Sequence, residues 1–396
     1  MFDSVERFAS PDPPTVRMNT AQCLHSKDRF SSCEACFVIC PVHAITPGKP
    51  PVLDTEKCRT CLACLSVCPV AAYSADDGMT TLLNSVGQLG KADLELLCAK
   101  NKQHNLGLGA SSVGIGLHGC LAGIGTGTYL ALAVLGIEHV LVRTEECEVC
   151  EWGALLPEIE AQVHRAQNFL SACGKPEILT CISDLENGME RPFWSVDNPP
   201  ISRRDLFQRM LRQGQETIAS AIENVKAPSD QHPGSDHLRV LNAAGHLHVL
   251  DVNANLPVGV PDFAFLSVTE ACTACSACAR GCPTGALRFY TSDDKSTYSL
   301  QFATRNCIAC ELCTHVCVPS AIAIDHAPTF AQVFGTTITT LRDGELAKCV
   351  RCGALFAKRD DAQLCTLCEY RRMHPFGSMP PPGFKKDVSM VKAEKQ

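Results

Sequence analysis

The sequence predicts an α+β multidomain protein. Two copies of one cysteine-rich module flank a small α/β domain, and a short cysteine ribbon closes the chain. Three observations carry that prediction. The 396 residues include 26 cysteines, gathered into four groups with cysteine-poor stretches between them. The first and third groups repeat one spacing, which marks an internal duplication. Between them, β-like apolar runs alternate with helix-like ones, as in a sheet covered by helices. The divisions read as 1–80, first module; 81–190, α/β domain; 191–245, helical linker; 246–330, second module; and 331–396, ribbon and tail.

So many cysteines need a chemical reason: disulfides, zinc sites or iron–sulfur clusters. The stretch Met1 to Pro14, MFDSVERFASPDPP, has no basic segment followed by an apolar one, so it does not read as a secretory signal. A disulfide framework needs an oxidising compartment, so reduced, metal-loaded thiolates in the cytoplasm are expected. The net charge of −7, with no basic patch, argues against a nucleic-acid partner. Val113 to Val142 has Glu138 as its only Asp, Glu, Lys or Arg, but it also holds seven glycines. It reads as a buried βαβ unit, not a membrane span.

The first module holds Cys58, Cys61, Cys64 and Cys68 followed by Pro69, a C-x2-C-x2-C-x3-C-P run. The second repeats it at Cys272, Cys275, Cys278, Cys282 and Pro283. It repeats it again at Cys307, Cys310, Cys313 and Cys317, where the proline is delayed to Pro319. A variant opens the chain at Cys23, Cys33, Cys36, Cys40 and Pro41, with nine residues in the first gap. Three cysteines two residues apart let one tight loop wrap three corners of a cubane. Its backbone N–H groups then face the sulfides. The fourth cysteine lies too far along to close the same cube and reaches to the other cluster. The expected sets therefore interlock: Cys23, Cys33, Cys36 and Cys68; Cys58, Cys61, Cys64 and Cys40; Cys272, Cys275, Cys278 and Cys317; Cys307, Cys310, Cys313 and Cys282. Zinc knuckles are the alternative for these triplets.

These motifs resemble the bacterial two-[4Fe–4S] ferredoxin family, once over residues 18–78 and again over 260–325. The resemblance implies a small pseudo-symmetric pair of hairpins and helices in each copy, and four [4Fe–4S] clusters in all. The second copy departs by an insert, Leu287 to Phe302, that reads as a hairpin turning at Asp293-Asp294. The wide gap after Cys23 is the departure in the first copy, where a three-iron or labile site is the alternative.

In the middle domain, β-like runs lead to cysteines. Asp93–Leu97 precedes Cys98, Val113–Leu117 precedes Cys120, and His139–Arg143 precedes Cys147 and Cys150. Helix-like runs cover Leu121–Leu135 and Ala154–Ala172, and a fourth run, Glu177–Leu179, leads to Cys181. Parallel strands converge at their carboxyl ends, so Cys98, Cys120, Cys147 and Cys150 are expected to meet there and hold a fifth iron–sulfur cluster, [2Fe–2S] in type. Incidental thiols or a redox-active Cys147/Cys150 pair are the alternatives. The arrangement resembles the delta subunit of methyl-viologen-reducing hydrogenases through its Gly-Cys after one strand and its close cysteine pair after the next. Cys173 reads as packing and Cys181 as a reserve ligand. The G-x-G-x-G run at Gly123, Gly125 and Gly127 departs from the dinucleotide fingerprint.

Arg203–Lys226 reads as a helix between Pro199, Pro200 and Pro228. Its start, Ser202 to Phe207, mimics a twin-arginine signal, but it is internal and has no apolar segment after it. At the end, Cys349, Cys352, Cys365 and Cys368 form C-x2-C-x12-C-x2-C with Gly353 after the first pair. This segment resembles a zinc ribbon with one structural zinc; a rubredoxin-like iron site is the alternative.

The expected function is an electron-transfer subunit with no catalytic constellation of its own. It would relay single electrons to or from a catalytic partner: a hydrogenase, a formate dehydrogenase or a heterodisulfide-reductase-like flavoprotein. The assembly would be a hetero-oligomer, free in the cytoplasm or attached to a membrane complex through the partner. A self-contained iron–sulfur and flavin oxidoreductase, or a redox-responsive regulator or scaffold, are the other classes.

Overall fold

The computed structural model of the chain describes residues 15–86, 93–175, 177–185, 188–196, 235–249, 254–335, 338–360 and 362–374. The Met1–Pro14 stretch, the expected helix Arg203–Lys226 with its prolines and its twin-arginine-like start, and the C-terminal tail lie outside them. The chain forms two compact units, Met1–Asp262 with Thr329–Gly335, and Phe263–Pro328 with the remainder. Among the described residues no helix is long and apolar enough to cross a membrane.

The first unit contains the first module and the α/β domain. The module is two short antiparallel strand pairs, Arg17–Met18 with Tyr73–Ser74 and Ile45–Thr46 with Val52–Leu53. Each half carries a one-turn helix, Ala35–Ile39 or Ala63–Val67, directly after its cysteine loop. Strands this short bury little apolar surface, so the centre of the module is built from its cysteines.

The α/β domain is a five-stranded, wholly parallel sheet. Its spatial order is Phe193–Ser195, Val113–Gly116, Asp93–Leu97, His139–Arg143 and Leu179–Ile182. The strands Asp93–Leu97 and His139–Arg143 fall where the apolar runs predict them. The last strand runs on through Cys181, and Phe193–Ser195 adds an edge strand from the stretch read as linker. That edge strand was illegible because three residues give no period. The other end of the same stretch forms the helix Ser235–His246, which packs on the helix Thr126–Val134. Helix Leu156–Ala172 buries Ile159, Val163, Phe169 and Leu170. The returning segment Thr329–Gly335 adds Phe330 and Phe334, whose rings lie 5.0 and 6.2 Å from that of Phe169.

A buried charge network pins the sheet. Glu95, on the central strand, is fully buried and meets both Arg143, from the neighbouring strand, and Arg191. Ser112 Oγ donates to its Oε1 at 2.6 Å and the Leu108 N–H at 2.8 Å. Burial alone would raise this carboxyl. The bonds from Ser112 and Leu108 and the charges of Arg191 and Arg143 outweigh it and leave Glu95 below its ordinary range. Gly107 and Gly114 make the room, since a Cβ at either would collide with the Arg191 side chain.

The second unit repeats the strand pair and one-turn helices, with Phe265–Val268 against Ile322–Asp325 and helices Ala277–Gly281 and Leu312–His315. Its insert is a hairpin, Leu287–Thr291 with Thr297–Phe302, turning through Ser292–Ser296. The ribbon does not stand apart from the module: Thr339–Lys348 pairs with Thr297–Phe302, and Leu355–Ala357 extends the same sheet.

Both tryptophans of the chain, Trp152 and Trp194, lie in the α/β domain, so their fluorescence follows its unfolding. Glu95→Gln leaves Arg143 and Arg191 without their shared counter-charge and should lower the stability of this domain by roughly 3–5 kcal/mol, read from the urea dependence of that signal. The folded carboxyl is lowered, so the wild-type advantage should be full above the ordinary carboxylate range and fade as the pH falls through the lowered value.

Candidate metal centres

Three of the four cysteine loops share one backbone path. The residues on either side of the middle cysteine have positive φ: Thr60 (52°) and Leu62 (66°) around Cys61, Ala274 (57°) and Ser276 (58°) around Cys275, Ala309 (50°) and Glu311 (59°) around Cys310. None is glycine, and left-handed backbone costs an L residue about 1–2 kcal/mol. Such a curl persists only where its surroundings fix it. The variant loop at Cys33 differs, with Glu34 at φ −120°.

The fourth cysteines share a second device. The third residue after each has positive φ: His43 (49°), Ala71 (48°), Gly285 (63°) and Ser320 (49°). Each donates its N–H back to the cysteine carbonyl, at 3.2, 3.2, 3.4 and 2.9 Å. The turn aims the next N–H at sulfur: Ala44 to Cys40 at 3.3 Å, Ala72 to Cys68 at 3.2 Å, Ala321 to Cys317 at 3.2 Å. Delaying the proline to Pro319 leaves this turn unchanged. These N–H···S bonds stabilise thiolate and favour the reduced state of a bound cluster.

The sulfurs gather in interlocked sets. Cys40, Cys58, Cys61 and Cys64 line one pocket. Cys272, Cys275, Cys278 and Cys317 line another, and Cys282, Cys307, Cys310 and Cys313 a third. Cys33 and Cys36 interact electrostatically with Cys23 and with Cys68, which brings the fourth set together. His25 Nε2 lies 2.7 Å from the Cys33 carbonyl and braces the long gap after Cys23. The buried Tyr73 hydroxyl lies beside Cys36.

Burial raises several of these thiols, and neighbouring thiols add to the rise. Cys68 is pushed up to about 11, Cys278 and Cys307 to about 12, and Cys64 and Cys313 well above the ordinary range. Four such groups ionise together only around a cation, so the donor sets fit metal centres.

In the α/β domain, Cys98, Cys120, Cys147 and Cys150 follow the carboxyl ends of three adjacent strands. Cys147 interacts with Cys98 and Cys150, and Cys120 with Cys98 and Cys147. Burial raises Cys147 to about 12 and Cys120 further. A cavity of about 230 Å³ opens beside Cys98, Cys147 and Cys150, rimmed by Lys100, Lys102 and Glu146. Cys120, whose thiol interacts with Cys98, Cys61 and Cys147, does not line this cavity and adjoins the module. Its N–H donates to the Cys61 carbonyl at 3.1 Å, and Ser66 Oγ donates to the Ala122 carbonyl at 2.7 Å. Cys181 sits within its strand opposite Val142, and Cys173 is buried at the end of helix Leu156–Ala172.

The glycine run has a packing explanation. Gly119 and Gly123 give way to Leu62, while Gly125 and Gly127 give way to Asp236. The Asp236 carboxylate accepts from the N–H groups of Gly127 (2.9 Å) and Thr128 (3.1 Å), where a phosphate would bind in a nucleotide loop. The glycine spacing was the visible trace of these close approaches. The partners, Leu62 and Asp236, carried no signal of their own.

The ribbon cysteines, Cys349, Cys352, Cys365 and Cys368, place their sulfurs within 4.8 Å of one another, with Cys352 and Cys365 at 3.7 Å. A tetrahedral site with metal–sulfur bonds of about 2.3 Å has sulfur–sulfur edges of about 3.8 Å. This set therefore fits a single ion. Gly353, at φ +73°, donates its N–H to the Cys349 carbonyl and closes the knuckle. Hydrogen bonding from the Cys365 backbone, helped by that of Cys352 and Arg351, lowers the Cys349 thiol to about 6.

Two family models match the chain. One, described as the 4Fe-4S dicluster domain, covers residues 271–322, and one, the 4Fe-4S binding domain, covers residues 51–74. No curated protein matches it. The chain thus carries ferredoxin-like iron–sulfur modules.

The interlock can be tested by additivity. Cys68→Ser should cost about four iron per chain, and adding Cys36→Ser should cost no more, the outcome expected of two ligands to one cluster. Adding Cys64→Ser instead should raise the loss to about eight. Iron analysis of anaerobically purified variants checks this.

Proposed function

We propose that this chain is an electron-transfer subunit that relays single electrons through at least four [4Fe–4S] clusters within a larger redox enzyme complex. Bound clusters supply reversible one-electron chemistry over a wide span of potentials. The chain's part is to hold their ligands, shield them from water and set their spacing. The four interlocked sets would hold the [4Fe–4S] clusters, the Cys98, Cys120, Cys147 and Cys150 set a [2Fe–2S] cluster, and the ribbon a zinc ion.

The observation that carries the relay reading is the bond from the Cys120 N–H to the Cys61 carbonyl. Cys61 belongs to one proposed ligand set and Cys120 to another. A short path of covalent bonds and one hydrogen bond therefore runs from sulfur to sulfur. Gly119 and Gly123 keep that approach close, since a Cβ at Gly119 would meet Leu62 at 2.8 Å and the Cys61 carbonyl at 3.1 Å. The two sets within each module also approach one another, through Cys36 with Cys64 and Cys278 with Cys313.

The partner would be a catalytic redox subunit: a hydrogenase, a formate dehydrogenase or a heterodisulfide-reductase-like flavoprotein. The α/β site offers a place to dock. Val149, between Cys147 and Cys150, is 88% exposed, with Lys100 and Lys102 at the rim of the adjoining cavity.

Anaerobically purified protein should contain about 16 iron and about one zinc, or about 18 iron with the [2Fe–2S] site filled. Cys120→Ser should remove only the last two or so. Iron well below 16 with several zinc ions would overturn the relay reading.

A further inference from the structure

The ribbon lies against the cluster loop of its own unit. The Ala357 N–H, at the end of strand Leu355–Ala357, donates to the Thr273 carbonyl at 3.1 Å. Two residues on, Arg359 Nη2 points at three consecutive carbonyls, 2.7 Å from Ala271, 3.3 Å from Cys272 and 3.4 Å from Glu270. Ala357 is also buried with Ala274 and Tyr298, and the Phe289 ring stacks on Tyr298 at 5.6 Å. Four carbonyls in a row, Glu270 to Thr273, are thus held from the ribbon side.

The carbonyl and N–H of a peptide unit point in opposite directions. Fixing the Cys272 and Thr273 carbonyls on the ribbon therefore turns the Thr273 and Ala274 N–H groups away from it, toward the pocket that Thr273 and Ala274 line with Cys272, Cys275 and Cys278. The strand that makes these contacts hangs between the two cysteine pairs, and a unit of this size has too little core to fold without its metal.

We propose that the ribbon is a metal-dependent clamp on the cluster held by Cys272, Cys275, Cys278 and Cys317, with Arg359 as the positioning residue that sets its potential. This rests on the reading that the Cys272 set holds a cluster. The guanidinium aligns the loop and places a positive charge on its outer side, and both favour the reduced, more negative cluster. The matching loop of the first module has a fork of its own, Arg59 Nη1 at 3.0, 3.3 and 3.5 Å from the Glu56, Lys57 and Cys58 carbonyls, but that arginine belongs to the loop itself. Arg359 reaches the Cys272 loop from the ribbon, so its loss acts on one cluster.

The test is an EPR-monitored redox titration of the full chain. The signal of this cluster is identified by its loss in Cys275→Ser. Arg359→Gln should shift that signal to more negative potential at unchanged iron content, and leave the others in place. Arg359→Lys should restore part of the shift, since it keeps the charge and loses the fork. Zinc removal from the wild type by a chelator should move the same signal the same way and speed its loss in air several-fold. An unmoved midpoint in iron-replete Arg359→Gln, or an equal shift of every signal, would overturn the clamp. Absence of iron from the Cys272 set in the wild type would overturn the cluster reading with it.

Discussion

Thiolates packed in fours repel one another, and burial makes many of the module thiols harder to ionise. That constraint governs the rest of the molecule, because only a cationic centre lets four of them coexist. The modules are shaped around it more than around apolar burial. In the first module the strands run to two residues and the cysteine-bearing helices to one turn, too little to hold together by hydrophobic contact alone. Instead the backbone curls through left-handed positions at Thr60, Leu62, Ala274, Ser276, Ala309 and Glu311 and turns N–H groups onto the sulfurs of Cys40, Cys68 and Cys317. Left-handed positions this dense persist only where their surroundings fix them, and a bound cationic centre would supply that.

The α/β domain meets the same constraint with a stiffer frame. Its cysteines come from three separate strand ends, so their approach depends on the sheet and not on one loop. The Glu95, Arg143 and Arg191 network explains how that frame stays fixed close to a group of raised thiols. Arg143 also bonds Glu145, two residues before Cys147, so the buried charge reaches the cysteine loop through the backbone. Gly107 and Gly114 are as much a part of this arrangement as the charges, since they leave the volume Arg191 fills.

The cysteine triplets were legible because their spacing is dictated by the geometry of a cubane, which leaves few alternatives. The strand Asp93–Leu97 and the hairpin Leu287–Phe302 were legible from alternation and turn residues. What escaped was long-range. Nothing near Phe193 announces an edge strand, because its apolar partner on the sheet is eighty residues upstream in Val113–Gly116. Asp236 drew no reading from the sequence, yet it fills the glycine loop that Gly125 and Gly127 open. Nor did Arg359, whose partners are carbonyls beside Cys272. The glycine spacing was a true signal of close approach, because spacing records how near something comes and not what it is.

The return of Thr329–Gly335 to the first unit bears on how the chain is made. Phe330 and Phe334 close over Phe169 in a unit whose other residues precede position 263. A ribosome delivers residues in order, so the second module must be synthesised before the first unit can be sealed. During that interval the first unit lacks the two rings that pack on Phe169. The packing of the first unit is therefore completed only after the second module has been made.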